Sequence, residues 1–437
     1  MRAEVARAAT GGFLLKIAAT FLRLVLGIML ARLLGAEGYG VYAFAIAMVG
    51  LLQVPTQLGL PQLLVREVAV YREREQWSLL RGLVLRANQG ILLVAILIGL
   101  LAFAFTAVFP DLLAADGGSA GASRTQVFWL ALLILPLSTL AALRQSTLRG
   151  LRYVVLGQTP ELVVQPSVLI VALLGAYLAL GSEALTPLTV VGLNVASFAL
   201  AFALGAYWLL RRLPPQVKLA KPAFAGRQWI GAALPFLVLA GMAVVNNRID
   251  LVMLGFLRTN EEVGVYQAAV TGGALVIFGL SAVNAATAPQ LARFWSRGDV
   301  ARLQRIATGS ARASLALALP AALVLGVGGE FLLGLLFGEE FKMGATALAL
   351  IALGQLVNAG FGSVGFILNM TGHTNLSVRG VGAAAVSNVI LNALLIPRYG
   401  MEGSAFATLM SFVIWNSILF YYVRRELGVN STVFGRR

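Results

Sequence analysis

A chain of 437 residues that is 59% hydrophobic and only 12% charged is not an ordinary soluble domain, in which roughly a quarter of the residues carry charge. The absence of cysteine excludes disulfides, thiol catalysis and thiolate metal sites, and the single histidine, His373, lacks partners for a metal centre. The net charge of +15 would suit nucleic acid if it formed one patch, but its spread along the chain argues against that.

Apolar runs near or above the roughly 20 residues that cross a bilayer recur from end to end. They lie at about 13–34, 42–65, 87–109, 126–143, 154–180, 188–210, 229–257, 263–290, 313–336, 345–369, 380–396 and 403–423. This pattern predicts an all-α integral membrane protein of about twelve spans.

The first run, Phe13 to Leu34, is too long for a signal-peptide core and leads straight into a second span, so it reads as a retained helix. Arg23 lies near its middle, where a guanidinium costs about 2.5–3.5 kcal/mol on insertion scales. The second run carries Gln53, Pro55 and Gln57 and ends at Pro61-Gln62-Leu63 with Arg66. The longest outer loop is expected over 110–125 and is rich in Gly, Ala and Ser. In the fifth run Glu161 sits close to the end, which favours a solvated carboxylate over a proton site.

Residues 211–228, RRLPPQVKLAKPAFAGRQ, form the most polar connection and read as a cytoplasmic linker, in part amphipathic. The linker separates an N-terminal six-helix lobe, 1–210, from a C-terminal one, 229–437. The seventh run contains Asn246, Asn247, Arg248 and Asp250, a polar cluster within apolar sequence.

That cluster begins a repeat. With Met29 laid on Met253, the identities are Leu30/Leu254, Leu33/Leu257, Glu37/Glu261, Gly40/Gly264, Val41/Val265, Tyr42/Tyr266 and Ala45/Ala269. Chance gives roughly two identities in such a window, so the chain is a doubled half. Pro289-Gln290-Leu291 with Arg293 echoes the end of span two, and Gly150 and Gly372 fall in matching turns. Six intervening spans make the repeats parallel, related by an axis along the membrane normal.

The gaps on one side hold all 33 basic residues except Arg23, Arg32, Arg124, Arg248, Arg258, Lys342 and Arg398. The opposite gaps are acidic, with Glu37, Asp111, Glu183, Glu261, Glu330 and Glu402 among them. The positive-inside rule places both termini in the cytoplasm and turns the basicity into topology, with no nucleic-acid partner.

Counted back from the matched Glu37 and Glu261, Arg23 and Arg248 lie at similar depths. They form either a basic belt for a ligand or partners for Asp250. Arg248 and Asp250 are two residues apart and do not share a helix face, so Asp250 would pair across helices, with Arg23 the candidate. Asn246, Asn247, Gln53 and Gln57 either line the same cavity or bond between helices. Pro55, Pro160, Pro166, Pro235 and Pro289 should kink their spans, with Pro55 and Pro235 the candidate hinges. Gly360 to Gly365, GFGSVG, matches a nucleotide-binding pattern but has no strand before it, and reads as close helix packing. There is no Walker A sequence to power transport with ATP and no Asp-x-Asp for a metal-dependent glycosyltransferase.

The segments ARLLGAEGYGVYAFAIAMVGLLQVPTQLGLPQLLVRE (31–67), RIDLVMLGFLRTNEEVGVYQAA (248–269) and TGHTNLSVRGVGAAAVSNVILNALLIPRYGMEGSAFAT (371–408) resemble the bacterial polysaccharide flippases. These O-antigen and exopolysaccharide transporters share a superfamily with the multidrug and toxic compound extrusion (MATE) exporters and the lipid II flippase. The resemblance implies a V-shaped pair of six-helix lobes around a central cavity, with alternating access and no cofactor. Its implied substrate is a sugar or oligosaccharide on a polyprenyl pyrophosphate, moved from the cytoplasmic to the outer leaflet of the cytoplasmic membrane. Membrane lipids, a polysaccharide polymerase and glycosyltransferases are the implied partners. Arg23 and Arg248 would hold the pyrophosphate, since bidentate guanidinium suits it. Asp250 would orient an arginine or take part in ion coupling.

Two features depart from the relatives. Cation-exporting MATE proteins typically carry an acid in the first helix, where this chain has Arg23, and the lipid II flippase adds two helices to the twelve-helix core. An ion-coupled small-molecule exporter is the alternative. A membrane-embedded glycan polymerase or ligase would want larger outer loops, and the expectation is a transporter rather than an enzyme.

Overall fold

The computed structural model describes residues 2–110, 113 and 119–435, and among them the chain is almost wholly helical with no strand. Nine helices among these residues are long and apolar enough to cross a membrane. Two of the nine, Gly11–Gln57 with 47 residues and Thr374–Leu427 with 54, are long enough for two passes each. At about 1.5 Å per residue, either exceeds twice the roughly 30 Å of a bilayer's hydrocarbon core.

The helices in chain order are α1 Arg2–Gln57, α2 Leu60–Glu73, α3 Trp77–Val108, α4 Ser119–Ala131, α5 Ile134–Gly150 and α6 Val154–Thr159. A π-helical turn, Pro160–Val164, leads into α7 Gln165–Leu180, followed by α8 Pro187–Arg212, α9 Pro215–Leu219 and α10 Gly226–Leu257. The rest are α11 Asn260–Ser296, α12 Val300–Val327, α13 Gly329–Leu336, α14 Ala345–Phe361, α15 Val364–Met370 and α16 Thr374–Leu427. The outer loop expected over 110–125 lies partly outside the described residues, and from Ser119 it is helix.

Single glycines separate spans that were read as distinct. Gly35 (φ 68°, ψ 178°) breaks α1 and Gly400 (φ 53°, ψ −133°) breaks α16, both in regions an L side chain resists. The Gly400 break is tended by side chains from elsewhere in the sequence. Met401 N–H donates to Glu262 Oε2 at 3.3 Å. Arg258 donates to the Ile396 and Pro397 carbonyls, both at 3.1 Å. Likewise Arg32 donates to Leu336 O at 2.9 Å and to Leu335 O, where α13 ends. Arg32 and Arg258, outliers on the acidic side, thus satisfy carbonyls that helix ends leave orphaned.

The chain forms two compact units. One contains the residues up to Met29 and Val41–Val244, the other Leu30–Gly40 and the residues from Val245. In the first, α3 turns Leu80, Leu83, Ala87, Ile91 and Ala95 inward and leaves Leu93, Leu97, Leu100 and Leu101 exposed. An apolar outer face of this kind suits lipid tails. The connection after α8 lies along α3: Arg81 donates to the carbonyls of Lys218 (2.6 Å) and Ala220 (2.7 Å), and Ala223 N–H donates to Ser78 O at 3.0 Å. Trp229 Nε1–H donates to the Tyr71 hydroxyl at 2.9 Å, joining α10 to the core of Leu63, Leu64 and Val68. In the second unit Leu291, Leu303, Ile367, Leu419 and Val423 form one core.

Within the second unit the repeated stretches meet. A Cβ on Gly40 would strike Asn260 O and Gly264 N, and a Cβ on Gly264 would strike Ala36 O and Gly40 N. Gly40 corresponds to Gly264 and Ala36 to Asn260 under the repeat. The contact is therefore the same step of sequence packed on itself.

Candidate functional site

Two buried polar networks stand out, one in each unit. In the second, Asp250 Oδ2 on α10 accepts from the Tyr266 hydroxyl on α11 at 2.7 Å, and Oδ1 accepts from Leu251 N–H at 2.9 Å. The Ser404 and Thr408 hydroxyls of α16 flank the Tyr266 phenol, and Thr408 Oγ1 makes no well-formed hydrogen bond. Ser404 Oγ donates to Asn392 Oδ1 at 2.9 Å, and Asn392 Nδ2 donates to Asn388 O and Oδ1 at 2.9 and 3.0 Å. Tyr266, Asn392 and Ser404 are fully inaccessible and Asp250 is buried. Burying this many polar groups is costly unless they satisfy one another or a ligand.

The first unit has a counterpart. Gln165 Nε2 on α7 donates to Asn194 Oδ1 on α8 at 2.8 Å, and Asn194 Nδ2 donates to the Tyr42 hydroxyl at 3.0 Å. Tyr42 and Tyr266 are repeat equivalents, so each unit ties a tyrosine of the repeat into a buried polar network, with partners on α7 and α8 in the first and on α10 and α16 in the second. The networks differ in charge, because the position matching Asp250 is Leu26.

Below Gln165 on the same helical path, Glu161 pairs with Arg144 of α5. Arg144 is buried, its Nε and Nη1 have no hydrogen-bond partner, and its guanidinium lies flat against Gly205 of α8, where any Cβ would collide with it. The solvated position expected of Glu161 is thus corrected: the π-helical turn that starts at Pro160 carries the carboxylate inward. Arg144, assigned to a polar gap, is a core residue.

The other expected site residues fall as follows. Arg23 on α1, in the first unit, and Arg248 on α10, in the second, have exposed side chains, as does Asn247, while Asn246 is half-buried. Asp250 bonds to Tyr266 and a backbone N–H, with Arg248 near enough to interact electrostatically. Gln53 Nε2 donates to Ser138 Oγ at 2.8 Å, an interhelical bond, and Gln57 ends α1. Pro55 precedes a break at Leu58 (φ 50°) and Gly59 (φ 70°), and Gly59 packs on α10 at Ala233, Phe236 and Leu237, the turn that contains Pro235. Both candidate hinge residues therefore border one contact in the first unit.

In GFGSVG the middle glycine, Gly362, packs closely, and it does so at a helix break: α14 stops at Phe361, Gly362 has φ 74°, and α15 starts at Val364. His373 is half-buried rather than exposed, its ring edge-on to Trp295 at 5.9 Å. Among the described residues no group of three or more His, Cys, Asp or Glu is gathered for a metal. The Asp250 network instead offers one carboxylate, two amides and hydroxyls, hard oxygen donors. Sequence reasoning missed Tyr266, Asn388, Asn392, Ser404 and Thr408, although the Tyr42/Tyr266 identity marked where to look.

In chain trace the molecule is similar to a multidrug resistance MATE family transporter of the MOP superfamily in its inward-facing conformation. That match has TM-score 0.77 at 14% identity and covers 96% of this chain and 98% of the other. It is also similar to the lipid II flippase MurJ in an inward closed conformation, with TM-score 0.71 at 15% identity over 94% and 87% of the two chains. At such identities the likeness shows the fold alone. In sequence the chain is 24% identical over 390 residues to the probable low-salt glycan biosynthesis flippase Agl15 of Haloferax volcanii, covering 89% of this chain and 77% of that protein. Residues 9–295, well over half the chain, match the family described as polysaccharide biosynthesis protein, and the chain belongs to that family.

Proposed function

We infer that this chain is a flippase that moves a lipid-linked glycan across a membrane for the synthesis of surface polysaccharide. The similarity to a probable glycan biosynthesis flippase and the fold shared with a lipid II flippase support this reading. The observation that carries it at the level of residues is the pair Arg23 and Arg248. Each stands inside a long apolar helix, yet each keeps its side chain exposed, whereas Arg144 is absorbed into the core. An arginine within an apolar span is expensive to insert, and the guanidinium fork suits a pyrophosphate.

On this reading the substrate is a sugar or oligosaccharide on a polyprenyl pyrophosphate, moved from the cytoplasmic to the outer leaflet by alternating access. One guanidinium from each repeat reads the headgroup, the glycan rests on amides including Asn246, Asn247, Gln53 and Gln57, and Pro55 and Pro235 act as hinges. Asp250 is the coupling group, because only the second unit's network contains an ionisable carboxyl group. Enzymes that build or polymerise the glycan supply and remove the substrate. The protein sits in the cytoplasmic membrane with both termini inside.

The test is leaflet-resolved accumulation of polyprenyl-pyrophosphate sugars in cells with and without the protein, then with Arg23→Ala and Arg248→Ala combined. Sugar-lipid should build up on the cytoplasmic side without the protein. The double variant should reach the membrane normally and export at least about tenfold less, given about 1.5–3 kcal/mol per charged hydrogen bond. Undiminished export would remove the headgroup role, and an unchanged lipid distribution would favour small-molecule export.

A further inference from the structure

The segment that follows α16 does not trail away. After Gly428 (φ 67°) ends the helix, residues 429–435 run back along α12 in the second unit. Gln304, Thr308 and Arg312, four residues apart on one face of α12, read their backbone. The Gln304 amide makes a two-way pair with Asn430: Nε2 donates to Asn430 O at 2.7 Å and Oε1 accepts from Asn430 N–H at 2.7 Å. Thr308 Oγ1 donates to the same carbonyl at 3.1 Å. Arg312 donates to Val433 O at 3.0 Å and Gly435 O at 3.3 Å.

The other side of the segment meets the break between α14 and α15. In an unbroken helix Gly360 O would accept from Val364 N–H. Here Val364 N–H turns to Gly362 O at 2.9 Å, and Gly360 O accepts from Val433 N–H at 3.2 Å. Gly362 leaves the space that Ser431 O and Ala311 fill, since a Cβ there would lie 2.7 Å from one and 2.8 Å from the other. Val429 and Ser431 are wholly buried.

We propose that residues 429–435 are a latch over the 361–363 break, docking and undocking as a unit while the rest of the fold persists, and so setting when α15 can swing. The docked state rests mainly on hydrogen bonds between side chains of α12 and the segment's backbone, with Val429 the segment's contribution to the apolar core. The small net worth of each such bond is matched against the chain entropy of ordering the segment, which leaves the docked state finely balanced. Glycines at 428 and 435 border the segment, and Phe434 projects outward at 85% exposure, adding little hold. The inference does not depend on the identity of the substrate.

The absence of cysteine permits a direct test by thiol labelling of single-cysteine variants of the full chain in native membranes. Ser431→Cys changes little, since that hydroxyl makes no hydrogen bond. Its maleimide labelling rate should fall between those of exposed Phe434→Cys and buried Ala307→Cys, because local opening exposes a latch and only global unfolding exposes a core residue. Adding Gln304→Ala and Arg312→Ala should accelerate it at least tenfold with Ala307→Cys unchanged. Ser363→Cys, at the break, should label at least tenfold faster in that background and in a chain lacking 429 onward. Three results would each overturn the proposal: Ser431→Cys labelling as slowly as Ala307→Cys, Ser363→Cys unaffected by release, or a shortened chain that fails to insert.

Discussion

Asp250 is held by a tyrosine the duplication supplies twice and uses differently. In the second unit Tyr266 donates to the carboxylate, whereas in the first Tyr42 accepts from Asn194 and the register position of Asp250 is held by Leu26. Tyr266→Phe removes a donor from a buried carboxylate and should cost about 1.5–3 kcal/mol, read by thermal unfolding in detergent. Asp250→Asn keeps the shape and should leave the protein folded while lowering export at least about tenfold; wild-type export would end its coupling role. Arg144 and Glu161 make a different case. Glu161→Gln strips the counter-charge from a buried guanidinium and should destabilise the protein by about 3–5 kcal/mol, whereas Arg144→Met with Glu161→Leu should recover most of that loss. A loss below about 0.5 kcal/mol for Glu161→Gln would show that water reaches Arg144. The fourth span was drawn to end at residue 143, so Arg144 fell outside it, and Glu161, near the end of the fifth, seemed to sit at a wet edge. Only packing against Gly205 reveals that both are inside.

At the scale of elements, apolar runs located the helices and missed how they are joined. Loops were expected between the first and second spans and between the last two, yet the chain turns there on Gly35 and Gly400, with Arg258 and Glu262 satisfying the freed groups at Gly400. Hydropathy averages over such single-residue devices. Prolines were more legible: Pro160 opens a π-helical turn, and Pro55 precedes the Leu58–Gly59 break that lies on the Pro235 turn. Pro235→Ala restores a helix hydrogen bond and should raise stability slightly while slowing the transport cycle several-fold, since proline interrupts the hydrogen-bond ladder inside α10. Faster or unchanged export with higher stability would mean that this turn does not move during transport.

For the whole molecule, membrane residence and the internal duplication were readable from composition and spacing. The division into compact units was not, because α10 gives residues to both and the end of the first span belongs with the second unit. Orientation rests on the positive-inside rule and can be checked on the cysteine-free background. An impermeant maleimide applied to intact cells should label Ser182→Cys and spare Lys221→Cys, and the reverse pattern would invert the topology. The glycine contact between Ala36–Gly40 and Asn260–Gly264 joins two copies of one sequence step, each filling the hollow of the other, which is the self-complementary geometry of a two-fold dimer interface. A side chain at either glycine would meet the backbone of its sister, so a substitution in one copy of the step disturbs both.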